Sequence, residues 1–303
     1  MLARARMVFG LWTMRRADVL ARAVGWAVFA TFAPALWAGG CAVSPAGKPA
    51  QPIYLTFDTG HMAVAPLIAD VLKKHAVQVT FFAANERTQS GNGSLGSDWA
   101  SWWKARATEG HEFASHTYDH TYWRSDVVGK NEAVRFKVRP SAGPQEGQEQ
   151  VFTAAQYCAD IRKSELRLQE ITGQKALPLF RAPGGKTSPE LLKAARSCGY
   201  AHVAWAPAGF LGDELPSDRF PNAQLLQKAL KNIQSGDILV AHLGIWSRQD
   251  PWAPAVLEPL IVGLKARGFC FATLREHPQY KRWIEQHSNQ TSASSGAVPR
   301  VHA

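Results

Sequence analysis

From Pro52 onward the chain alternates two patterns of apolar positions. Short apolar and aromatic runs such as "PIYLTF" and "VQVTFFAA" read as strands. Between them, "VAPLIADVLKKH" places Leu67, Ile68, Val71 and Leu72 at helical spacing, so the opening elements predict β-α-β. "TQSGNGSLGS" is a loop by its Gly, Asn and Ser, "DWASWWKARATEG" a helix and "HEFAS" a short strand. The residues from Tyr122 to Phe152 read as an irregular insertion, most loop-like at "RPSAGPQEGQEQ".

Order resumes with "TAAQYCADIRKSELRLQEITG", a long helix closed by Gly173, and the strand "LPLF". "SPELLKAARSCG" is a helix with Ser188 as cap and Pro189 at its first position. "YAHVAWA", "NAQLLQKALKNIQSG", "DILVAH", "PWAPAVLEPLIVGLKARG" and "FCFATL" continue the alternation. About seven strands with their helices predict a parallel α/β fold, closed as a barrel or open and doubly wound.

The N-terminus follows another logic. Arginines precede an apolar run from Ala23 to Ala38, which ends in small residues and Cys41. That is the pattern of a secretory signal, and the run is shorter than the ~20 residues a spanning helix needs. Residues 1–40 are therefore expected to be a signal peptide, 41–51 a linker, 52–286 the functional domain and 287–303 a disordered tail. "AGGC" resembles a lipobox with Ala38 in place of the usual leucine, so a lipid anchor at Cys41 stands beside ordinary cleavage. The expected location is outside the cytoplasm, periplasmic or as a membrane-anchored lipoprotein of a bacterium.

Composition narrows the classes. With 303 residues, 46% of them hydrophobic, and no fixed-period repeat, the chain is globular rather than disordered or solenoid. The net charge of +10 draws +4 from the first forty residues, and the remainder is scattered rather than grouped as a phosphate-binding stripe. Nucleic acid is not the expected partner. Cys158, Cys198 and Cys270 have no close metal spacing, which argues against a thiolate zinc site and leaves either one disulfide with an odd cysteine or buried free thiols.

In β/α folds, functional groups sit where strands end and loops begin. Asp58 ends "IYLTF", His116 follows "HEFAS", Arg181 ends "LPLF" and His242 ends "DILVA", which puts four ionisable residues on one rim. "HTYDH" adds His120 four residues after His116, a spacing that on one helical turn brings two imidazoles to one side for a shared cation.

These segments resemble the polysaccharide deacetylases, the NodB-homology or carbohydrate esterase family four enzymes, from about Pro52 to Leu274. "TFDTG" is similar to their first motif, Thr-Phe-Asp-Asp-Gly; "HTYDH" to the second, His-Ser/Thr-x-x-His; "RAPGG" to the third, Arg-x-Pro-x-Gly; and "LVAH" to the fifth. The resemblance implies an irregular (β/α)7-type barrel and hydrolysis of an N-acetyl group, or else an O-acetyl group, on a glycan such as peptidoglycan or a chitin-like polymer. It implies Asp58 as general base, Arg181 as its partner and His242 as the acid for the leaving amine. His116 and His120 would hold a divalent metal, zinc or else cobalt or nickel, with Gly184 supplying a backbone N–H to the oxyanion.

Three departures qualify the match. Thr59 stands where the family has its third metal ligand, an aspartate; members acting on muramic acid residues have asparagine there. Weaker binding through two histidines, rescue by a group such as His61, and loss of metal and catalysis all remain open. Gly184 replaces the tyrosine of the third motif, which removes a wall of the groove. The fourth motif is reduced to "WAPAGFLGDE", in which Trp205 is placed to pack beside the acetyl group and Asp213 either tunes His242 or is a loop residue. A second reading is an inactive relative that binds glycan or a cell-wall partner.

Overall fold

The computed structural model describes Cys41, residues 50–129 and residues 133–288. The expected signal peptide, most of the linker and the tail from residue 289 lie outside the described residues. The elements run β1 (Gln51–Asp58), α1 (Ala65–Lys74), β2 (Thr80–Ala83), α2 (Ser97–Thr108), β3 (Glu112–Ser115), β4 (Thr121–Val127), β5 (Arg135–Pro140) and β6 (Gln150–Thr153). They continue α3 (Ala154–Thr172), β7 (Leu179–Phe180), α4 (Pro189–Ser197), β8 (Ala201–His202), α5 (Asn222–Asn232), β9 (Ile238–His242), α6 (Leu257–Ala266), β10 (Phe269–Phe271) and α7 (Pro278–His287).

A seven-stranded parallel sheet has the order β10-β1-β2-β3-β7-β8, with β9 also pairing β1. Beyond β8, the N–H groups of Ala206 and Leu211 donate to carbonyls of Ile238 and Val240 in β9. The sheet therefore curls back on itself as an irregular (β/α)7-type barrel, as expected. Side chains alternate across a strand, so β1 sends Ile53, Leu55 and Phe57 into the core shared with α1 and α6, and Tyr54 into a second core. That second core includes Phe82, Ala114, Leu179 and Ala201 and ends on Tyr280 and Ile284 of α7. Thr56 and Asp58 follow Tyr54 on the same row, with 0% and 3% exposure, which is how an apolar strand comes to end on a buried acid.

Two local signals behave as read: Gly173 closes α3 in the left-handed conformation at φ 70°, and Ser188 Oγ accepts from Leu191 N at the start of α4. The structure adds a reciprocal capping box of Thr153 and Gln156 on α3. Helix α7 was not expected. Its apolar signal is short, Tyr280, Trp283 and Ile284, behind a His277 whose ring nitrogen accepts from Gln279 N. Trp103 is fully buried and donates to Ser94 O, and Trp99 and Trp102 pack on the same core, so this trio is structural.

The segment read as an irregular insertion is a three-stranded antiparallel sheet, β4-β5-β6. In "RFKVRP" alternate residues Phe136, Val138 and Pro140 are buried, a two-residue period that the neighbouring Gly and Pro obscured. The cysteine count also changes: Cys158 pairs with Cys198 and Cys41 with Cys270, and no described cysteine is free. A sulfur engaged in a disulfide cannot also carry a lipid thioether, so the Cys41–Cys270 bond stands against the anchor. Among the described residues no helix is long and apolar enough to cross a membrane.

Candidate active site

Strand ends meet at one rim. The β1–β9 register pairs Asp58 with His242, the β3–β7 register pairs Ser115 with Phe180, and His116 and Arg181 follow those last two residues. Asp58, His116 and His242 border a cleft of about 580 Å³, which also takes in Thr59, His120, Tyr122, Gly184, Trp205 and Glu214.

Arg181 is fully buried and crosses the barrel beneath the cleft. Its Nη1 donates to Asp58 Oδ1 at 2.6 Å and to Thr56 Oγ1 at 2.9 Å, its Nε donates to Val203 O at 3.1 Å, and the guanidinium lies 4.1 Å over Phe82. Burial alone would raise the Asp58 carboxyl; Arg181, with the protonated His242, overcomes it and holds the group below the usual value. Asp58 is thus an ionised carboxylate with one oxygen tied down and the other, Oδ2, 3.6 Å from His116 Nε2.

The "HTYDH" segment is a turn between β3 and β4 rather than a turn of helix, with Thr117 at φ 57° and His120 at φ 47°. Such left-handed residues are rare without glycine and are held by their surroundings. The holder is Asp160 of α3: Oδ1 accepts from Tyr118 N and Asp119 N, and Oδ2 accepts from the Thr121 hydroxyl at 2.6 Å. The result brings His116 Nε2 and His120 Nε2 within 3.2 Å of each other.

On the far side, Asp213 Oδ2 accepts from His242 N at 2.7 Å and its carboxylate lies 3.1 Å from His242 Nδ1. Burial would lower the imidazole, but Asp213 outweighs it and pushes His242 up to about 10, so the ring is protonated at neutral pH. Glu214 Oε2 stands 4.0 Å from His242 Nε2. His61 does not join the histidine pair. It borders an adjoining hollow with His242 and Asp213, and its ring meets Trp246 of the main cleft edge-on at 5.2 Å.

The missing wall has a substitute. Gly184, at φ 62°, sits so close to Tyr122 of β4 that a Cβ there would be 3.0 Å from the ring, so the insertion fills the space expected to stay open. Gly185, at φ 66°, is likewise packed against Trp205, leaving no room for a side chain. Tyr122, Ser141 and Asp160 escaped the sequence reading because each belongs to no motif and reaches the site from a separate element, and Glu214 was passed over at the end of "WAPAGFLGDE" beside Asp213.

Residues 46–203, just over half of the chain, match the family model for polysaccharide deacetylase. The chain belongs to the polysaccharide deacetylase family. The match ends before Asp213 and His242; the barrel returns His242 to the same cleft with Asp213 bonded to it. A chitooligosaccharide deacetylase of Azorhizobium caulinodans is 27% identical over 73% of this chain and 92% of its own length. A peptidoglycan-N-acetylglucosamine deacetylase of Bacillus cereus is 25% identical over 76% and 89%. Among solved structures, a family 4 acetyl xylan esterase of Clostridium thermocellum, in complex with a cobalt ion, superposes with a TM-score of 0.55 at 22% identity, covering 76% of this chain and 92% of that one.

For a deacetylase of this family the next question is the metal, and the hydrogen bonds bear on it. Arg181 O can only accept, so His116 Nδ1, 2.9 Å away, carries the proton and Nε2 keeps its lone pair. Burial holds His116 down to about 4 against the pull of Asp58, so the ring is neutral. Ser141 Oγ donates to His120 O at 3.3 Å and accepts from His120 Nδ1 at 2.5 Å, which leaves His120 Nε2 a lone pair too. Two lone pairs facing each other at 3.2 Å repel, and a cation relieves that. The pair therefore fits a divalent metal. Thr59 does not complete it as a carboxylate would: its hydroxyl accepts from Ala84 N at 3.0 Å and carries no charge. No group of three His, Cys, Asp or Glu side chains suited to a metal occurs among the described residues.

Proposed function

We propose that the protein is an exported, metal-dependent hydrolase that removes N-acetyl groups from a cell-wall or extracellular polysaccharide of the peptidoglycan or chitin-like kind. The observation that carries this is the cleft flanked by an ionised Asp58 and a protonated His242, with the lone pairs of His116 and His120 between strand ends. Export is supported by the leader-like N-terminus and by two disulfides, which persist in oxidising compartments.

A zinc, cobalt or nickel ion on His116 and His120 would polarise the acetyl carbonyl and favour negative charge on its oxygen. The rest falls to the chain. Asp58 Oδ2 takes a proton from the attacking water while Arg181 keeps Oδ1 fixed and the carboxylate ionised. The Gly184 N–H, at the cleft edge, donates to the oxyanion. His242, held by Asp213, gives its proton to the departing nitrogen as the C–N bond breaks, which yields acetate and a free amine. Trp205 and Tyr122 provide flat apolar walls for the sugar.

The test is elemental analysis of the purified protein beside His116→Ala, with acetate release measured on peptidoglycan and chitin oligomers. About one ion per chain, lost in the variant and accompanied by acetate, is the expected result. Thr59 favours a second reading, an inactive relative that binds glycan. No metal and no acetate after addition of zinc, cobalt or nickel would establish that reading instead.

A further inference from the structure

We infer that Glu86 supplies the negative charge that Thr59 withholds from the cation site, as a positioning residue behind His120. This rests on the metal-dependent reading above.

Glu86 follows β2 on a loop tied to the histidine turn: Asn85 N donates to Tyr118 O at 2.7 Å, and Ser94 N donates to Glu86 O at 2.8 Å. Its side chain is 19% exposed and borders the cleft, with Oε1 3.7 Å from His120 Nδ1. Oε2 is buried and has no hydrogen-bond partner. A carboxylate oxygen withdrawn from water without a donor is costly, and such a group persists where positive charge lies nearby.

The buried positive groups of the cleft are engaged elsewhere, and Arg87, the other cation on its lining, is exposed. Arg181 bonds Asp58, and His242 bonds Asp213 with Glu214 at its other nitrogen. Glu86 stands beside the histidine pair, on the Nδ1 side of His120. A carboxylate there makes the imidazole a stronger electron-pair donor at Nε2 and compensates part of a dication's charge, and the second of these is what a third carboxylate ligand does at close range. Thr59 can then be neutral without emptying the site.

The experiment is calorimetric titration of zinc and of cobalt into the folded full chain, as wild type, Glu86→Gln, Glu86→Asp, Thr59→Asp and Thr59→Asp with Glu86→Gln. Glu86→Gln keeps size and shape, and it should weaken binding about 10- to 100-fold and shift the cobalt absorption bands. Glu86→Asp should recover part of the loss, and Thr59→Asp should make the Glu86→Gln change nearly silent. If Thr59→Asp fails to fold, the comparison of wild type with Glu86→Gln and Glu86→Asp decides alone. Unchanged affinity in Glu86→Gln overturns the inference and leaves the deacetylase reading standing. A wild type that binds neither metal overturns the metal-dependent reading and the inference with it.

Discussion

Replacing Arg181 by Met tests how the base is built. The thioether side chain follows the path of the arginine stem but removes the donors to Asp58, Thr56 and Val203. Asp58, only 3% exposed, is then a buried charge without its main partner. Breaking a buried pair in this way costs about 3–5 kcal/mol. For a domain of this size each kcal/mol lowers Tm by roughly 2–4 °C, so a fall on the order of 10 °C follows. The sign of the pH dependence also reverses. In the native protein the Asp58 carboxyl is depressed, so its stabilisation is present above the unfolded value and is lost as pH falls through the folded one. Without Arg181 burial dominates and raises the carboxyl, so the deficit is largest at alkaline pH and shrinks as the pH drops and Asp58 takes up a proton. Thermal denaturation at pH 8 and pH 5, in the native and Asp58→Asn backgrounds, gives the answer. A deficit of equal size in both backgrounds and at both pH values would show that Arg181 merely fills space.

Two further outcomes can be measured on the same preparations. His242 is raised by Asp213 against burial, so the pair's stabilisation is full below the ordinary imidazole value and is lost as pH rises toward about 10; Asp213→Asn should abolish that decline in urea titrations and move the alkaline limb of the acetate-release profile toward neutrality. Replacing Cys158 and Cys198 together by Ser opens a 40-residue loop and should cost about 4 kcal/mol in urea unfolding, with little change in KM.

Much of the barrel was legible because its signals are local. Strand runs, the left-handed stop at Gly173 and the Ser188-Pro189 start each depend on a few adjacent residues, and physical chemistry within one turn is enough to read them. The insertion was harder because its strands are paired with one another rather than with the barrel, and a short alternation interrupted by Gly and Pro carries little weight alone.

By itself the sequence determined the alternation of strands and helices that builds the barrel, though not the β4-β5-β6 sheet or α7, and the chemistry that each strand end presents: Asp58, His116, Arg181 and His242 sit where they do because a buried strand stops there. Tertiary structure alone decided which of those groups touch. It brought Asp160 under the histidine turn, Tyr122 against Gly184, Asp213 onto His242 and Cys41 to Cys270 across 229 residues. Such contacts depend on how the sheet curls and where each loop lands, and a pair separated by that much chain leaves no periodicity in either partner's neighbourhood. The charge of Asp58 and the proton on His242 belong to the same category, since the groups that set them, Arg181 and Asp213, come from other strands and loops and act only after folding has removed the water between them.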